Sequence, residues 1–180
     1  MRITENRGLA LAVCFVCALA SICGFGGMKL KRQYDEVTEY FIEGDDGRHS
    51  MENYLDRCAG CASDLAYEAR QYLDSDAETE NVLSLAGELA ADTGPGGGRY
   101  ETFSGLTGAV EELYSALQSA GYAEEAAVTV AYGDYQSACD LIARDGYYDM
   151  AKEYNATAGG FPAMLIAHLW SVDRADTFGH

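Results

Sequence analysis

The chain reads as an all-α protein: an N-terminal transmembrane helix followed by an antiparallel helical bundle. Residues 8–27 carry no charge and are bounded by Arg7 and Lys29. As a helix rising 1.5 Å per residue, such a run spans about 30 Å, the thickness of a bilayer's hydrocarbon core. Beyond it, apolar residues recur at spacings of three and four, and the one β-branched run, Val128-Thr129-Val130, sits inside that helical pattern. Only two prolines interrupt 180 residues, and frequent Ala, Leu and Glu favour helix. The length suits one anchor and one compact domain with a single core. The expected layout is a short tail 1–7, a transmembrane helix 8–27, a helical bundle 28–170 and a loose C-terminal tail 171–180.

The anchor competes with a cleaved signal peptide, since the first residues are basic and Ala18-Leu19-Ala20 resembles a cleavage site. The apolar run continues past that site to Gly27 and meets Lys29, Lys31 and Arg32 as a stop, which favours the anchor. Val13, Val16 and Ile22 precede Cys14, Cys17 and Cys23 where a lipobox needs a small residue, so lipidation is not expected. Arg2, Arg7 and the free amine on one side balance Lys29, Lys31 and Arg32 on the other, leaving the side of the membrane that holds the domain open. The expected location is a cell membrane, crossed once.

Leu30, Tyr34, Val37 and Phe41 continue the helical rhythm, so the anchor helix should run on as the first helix of the domain until Gly44-Asp-Asp-Gly47. Ser50 is placed to cap a second helix with Met51, Tyr54 or Leu55, Cys58, Cys61 or Ala62, Leu65, Ala69 and Tyr72 on one face, ending near Leu73. Ser75-Asp-Ala-Glu78 has capping-box spacing and opens a third helix with Val82, Leu85 or Ala86, and Leu89 inward. The glycine run Thr93 to Gly98 breaks it; with no Lys-Ser/Thr after it and no strand before it, this is a flexible connector and not a phosphate loop.

The fourth helix carries Phe103, Leu106, Val110, Leu113 and Leu117 in a 3-4-3-4 rhythm before Gly121, a pattern for coiled-coil-like contact with its neighbours. A fifth begins near Tyr122 and extends to Ala158 with Val128, Tyr132, Tyr135, Cys139, Ile142 or Ala143, Tyr147, Met150 or Ala151, and Tyr154 inward, Gly133 and Gly146 each permitting a bend. The same stripe extended to Phe161 places that ring in the core. Pro162 suits the first position of a last helix, Pro162 to Trp170, apolar enough that it must cap the bundle or touch the membrane surface.

The net charge of −17 is uneven: five bases and one acid up to Arg32, then seven bases against 28 acids. That acidic remainder repels phosphate backbones and excludes nucleic acid as a partner. It reads as a solvated helical surface. Glu43 with Asp45 and Asp46, and Glu78 with Glu80, cluster without the loop spacing of a calcium site. Cys58-Ala-Gly-Cys61 is the most tempting motif, yet it lies inside a helix with no second CxxC, and His49, His168 and His180 add no ligand spacing. Packing is the favoured reading of Cys58 and Cys61, with metal or redox chemistry as the alternative. No hydrolase triad is supported, and Asn155-Ala-Thr157 is a sequon of a kind common by chance.

From Ala143 to Phe178 the order Ala-Arg, Tyr-Tyr, Lys-Glu-Tyr-Asn, then Phe-Pro followed by Leu-Ile-Ala and a final Phe, resembles the C-terminal signature of the LemA family of bacterial membrane-anchored helical proteins. Gly146 stands where the family usually has an aromatic, and Trp170-Ser-Val replaces Phe-Gly-Phe, so the resemblance is to a divergent member. It implies structural roles for Arg144, Tyr147, Tyr154, Asn155, Phe161, Pro162, Leu165, Ile166 and Ala167, a LemA-like bundle and a place in the cell envelope. The family has no agreed activity. The resulting expectation is a non-enzymatic interaction or scaffold module with no cofactor, the membrane and a protein as partners, and self-association open. The alternative is an envelope thiol- or metal-binding protein using Cys58 and Cys61.

Overall fold

A computed structural model describes residues 7–44, 49–74, 76–96 and 98–178. Every regular element among them is helical: α1 Arg7–Glu43, α2 Met51–Ala69, α3 Ala77–Ala91, α4 Arg99–Ala120, α5 Ala126–Arg144, α6 Tyr147–Gly159 and α7 Ala163–Trp170. α1 is the one helix among the described residues long and apolar enough to cross a membrane.

α1 changes character along its length. Leu11, Phe15, Val16, Ile22 and Phe25 are exposed, whereas Leu30, Val37 and Phe41 are buried. No break separates the two halves, as the continuous rhythm from Leu30 predicts. The helix stops at Gly44, whose φ of +66° suits glycine.

α2 forms the centre of the bundle, contacting α1, α3, α4 and α5. Ser50 caps it, its hydroxyl accepting the Asn53 N–H at 3.2 Å, and Met51, Leu55, Cys58, Ala62, Leu65 and Ala69 face inward. The small residues on this face let neighbouring helices approach. The helix ends at Ala69, short of the expected Leu73, because residues 70–73 tighten into a turn on the Ala66, Glu68 and Ala69 carbonyls. Tyr72 then packs on Tyr122 and Cys58 on Cys139, pairs running in opposite order along the chain, so α2 and α5 are antiparallel. Tyr34–Tyr154 and Phe41–Tyr147 establish the same relation for α1 and α6.

α3 starts at Ala77; Ser75 of the expected capping box lies outside the described residues. Glu78 and Glu80 occupy its first turn, where their charge complements the helix dipole. On α4 the stripe Leu106, Val110, Leu113, Leu117 is buried as its rhythm predicts, and Gly121 at φ +84° ends the helix while the Tyr122 N–H reaches the Leu117 carbonyl.

The long fifth helix expected to reach Ala158 is two helices. The chain is extended at Asp145, and its carboxylate accepts the Tyr147 N–H at 2.8 Å, a local side-chain bond that competes with continuing the helix. Phe161 corrects a second expectation. It is 85 % exposed, because α6 ends at Gly159 and the stripe of Tyr147, Ala151, Tyr154 and Ala158 ends with it. The residues expected to form a loose tail are the third correction: Ala175 and Phe178 are buried against the bundle.

Candidate functional site

Two features of the bundle gather chemically distinctive side chains: a knot that fixes the C-terminal tail, and a thiol cluster under a groove between α4 and α5.

The knot forms where Ser171, with φ +50°, ends α7 and turns the chain back along α6. The Tyr154 hydroxyl donates to the Asp173 carbonyl at 2.7 Å. Asn155 grips Ala175 from both sides, its amide donating to the Ala175 carbonyl at 2.7 Å and its oxygen accepting the Ala175 N–H at 3.0 Å. Asp176 donates its N–H to the Pro95 carbonyl at 2.6 Å and accepts the Tyr100 N–H at 3.1 Å. Its carboxylate thereby serves the N-terminus of α4, where Gly98 offers no side chain. The expected flexible connector is thus tied down at Pro95.

Phe178 enters the space this leaves, with ring centroids 5.8 Å from Tyr100, 6.0 Å from Phe41, and 6.1 Å from both Phe103 and Tyr147. Against the Phe41 ring lies Arg99, fully buried. Its guanidinium stands 5.4 Å from the centre of the Phe41 ring, 3.6 Å from the Glu52 carboxylate and 3.4 Å from that of Asp56. Neither Arg99 nor Asp176 stands out in the sequence; Phe178 was visible as the one aromatic in a polar tail.

The residues drawn from the C-terminal resemblance therefore divide. Tyr147, Tyr154 and Asn155 hold the knot. Arg144 is exposed and pairs with Asp140 one turn earlier. Ile166 and Ala167 are buried against the bundle, while Phe161, Pro162 and Leu165 face outward. Asn155, with both amide atoms engaged, is a poor sequon despite its spacing.

Burial pushes the Tyr147 phenol well above its ordinary pKa, and its hydroxyl has no hydrogen-bond partner among the described residues. Burial likewise moves Tyr154 up to about 12.

In the thiol cluster Cys58 pairs with Cys139 across the α2–α5 interface, sulfur to sulfur at 3.5 Å. Cys61, its expected partner, is half-buried one turn further along α2. The hydrogen bond shared with Cys58, with help from Tyr135, lowers the Cys139 pKa. The same bond, then burial, pushes Cys58 strongly upward. The two thiols are thus coupled, and Cys139 is the one on the groove side. It faces a groove of about 480 Å³ lined by Phe103, Thr107 and Glu111 of α4 and by Ile142 and Ala143 of α5. Tyr135 bridges the floor, donating to the Thr107 hydroxyl at 3.2 Å.

No three His, Cys, Asp or Glu side chains among the described residues are grouped to hold a metal ion. His49 stacks on Tyr54 and His168 lies exposed on α7. His180, Asp45 and Asp46 fall outside the described residues. No family model matches the chain, and no match was found among curated proteins or solved structures.

Proposed function

We propose that the chain is a single-pass membrane protein of the bacterial cell envelope whose helical bundle acts as a non-enzymatic interaction or scaffold module. The continuity of α1 carries this reading. Its first half exposes Leu11, Phe15 and Phe25 at 71, 66 and 72 %, a surface that water disfavours by about 25 cal/mol per Å² and lipid does not. Its second half is a core helix of the bundle. The two cannot move apart without breaking the helix, so the bundle stands at a fixed distance from the bilayer. Membership of the LemA family is part of the proposal and rests on the residues from Ala143 to Phe178.

A second reading, thiol chemistry, draws on the 3.5 Å contact of Cys58 with Cys139 and moves the partner thiol from Cys61 to Cys139. Proximity labelling in cells from a C-terminal fusion separates the two. Protein neighbours that persist in a Cys58→Ala, Cys139→Ala chain support the scaffold. Loss of those neighbours, or of bound zinc relative to wild type, transfers the function to the thiols.

A further inference from the structure

Helix α7 and the residue pair before it turn a strongly apolar face outward: Phe161 at 85 %, Met164 at 51 %, Leu165 at 58 % and Leu169 at 68 % exposure. Leu165 and Leu169 share a face of α7 by their spacing of four, and Phe161 stands exposed in the turn that leads into the helix. Phe161 is more exposed than any other large apolar side chain among the described residues.

Two observations say what covers this face. The inner side of α7 is seated on α1 at the level where the run of exposed apolar side chains from Leu11 to Met28 ends. A Cβ on Gly26 would stand 2.9 Å from Ile166 Cδ1, and one on Gly27 would overlap the Trp170 indole. Phe25 and Met28 are exposed there, and Leu30 is buried. The apolar face of α7 thus extends sideways the surface that α1 offers to lipid, at the depth where the uncharged run gives way to Lys29, Lys31 and Arg32.

The second observation is charge. The residues after Arg32 are strongly acidic, yet between Glu153 and Asp173 there is neither an acid nor a Lys or Arg. Lys31 and Arg32 pair with Asp35 and Glu36 one turn on, but such exposed pairs are weak, and an acid-free apolar helix near this run of bases fits an anionic headgroup surface.

We propose that α7 is an interfacial helix, lying in the boundary between headgroups and acyl chains of an anionic bilayer with Phe161, Leu165 and Leu169 inserted. The proposal rests on the reading of α1 as a membrane span. Trp170, on Gly27, then occupies the interfacial belt that tryptophan favours. The bundle gains a second attachment beside α1, which fixes which of its sides faces the bilayer.

The chain contains one tryptophan, so depth is measurable by fluorescence. Full-length Trp170→Phe chains carrying Phe161→Trp or Leu165→Trp, both at exposed positions, are reconstituted into phosphatidylcholine–phosphatidylglycerol vesicles with bromines near the headgroup or near the acyl-chain end. The expected result is co-flotation with the vesicles, blue-shifted emission, and quenching at least twofold stronger from the shallow bromines. Flotation with red-shifted, unquenched emission overturns the interfacial helix and leaves the anchor standing. Stronger quenching by the deep label also overturns it. Failure to float removes the anchor, and the inference with it.

Discussion

The indole of Trp170 fills the space that a side chain on Gly27 would need, so the last helix meets α1 directly at the end of its uncharged run. Gly27→Leu should expel the ring. Overpacking of this kind costs about 1–3 kcal/mol, and in detergent the emission of Trp170 should shift to the red with a lowered Tm. Gly24→Ala is the control, since a Cβ there meets nothing within 4 Å; its emission should match wild type.

Phe161 and Phe178 exchange the roles that spacing assigns them. Phe178→Ala empties a site formed by Phe41, Tyr100, Phe103 and Tyr147 and should cost about 3 kcal/mol, the lower end for a buried phenylalanine because a chain end yields locally. Phe161→Ala should change stability by no more than about 0.5 kcal/mol in detergent. Thermal unfolding of the two variants compares them directly, and equal losses would contradict the structure.

The two buried tyrosines should respond oppositely to loss of the hydroxyl. Tyr147→Phe removes a hydroxyl that has no partner among the described residues and should be neutral or stabilising by up to about 1 kcal/mol, whereas Tyr154→Phe gives up the bond to the Asp173 carbonyl and should cost about 1 kcal/mol. Both phenols are raised in the fold. The unfolded chain therefore releases these protons from about pH 10 while the native state keeps them. The stability they contribute is complete below that pH and declines as pH rises toward 12. Denaturant titrations from pH 9 to 11.5 should show a shallower alkaline loss for Tyr147→Phe than for wild type.

Arg99 is the one fully buried cation among the described residues. Arg99→Ala leaves Glu52 and Asp56 facing a cavity beneath Phe41 and should destabilise by about 3 kcal/mol. Both acids retain some contact with water, which holds the loss to the lower end of the range for a broken buried pair. Chemical denaturation in low and high salt tests this, and the buried half of the interaction should persist at high salt.

Periodicity made most of the helices legible. The stripes of α2, α4 and α5 and the unbroken passage of α1 from Gly8 into the bundle follow from apolar residues at spacings of three and four, and Ser50 from its place before one of them. The failures have two physical origins, local stops that a spacing rule does not register and contacts between residues distant in sequence. Asp145 ends α5 through a bond that spacing does not register. Gly159 and Gly160 halt the stripe immediately before Phe161. The tail looked loose because its composition is polar, but backbone groups at Asp173, Ala175 and Asp176 are held by Tyr154, Asn155 and Pro95. The CxxC spacing pointed to Cys61, whereas the helix crossing delivers Cys139 to Cys58.

The membrane anchor is the centre of the account, and intact-mass analysis of the retained chain tests it most directly. Membranes from cells expressing the full chain are washed with high salt and alkaline carbonate, and the pelleted protein is weighed. The chain should remain in the pellet with Met1 to Arg7 still attached. A released, shorter species beginning near Ser21 would show that the apolar run is a cleaved signal, and would contradict the continuous helix on which the proposed function depends.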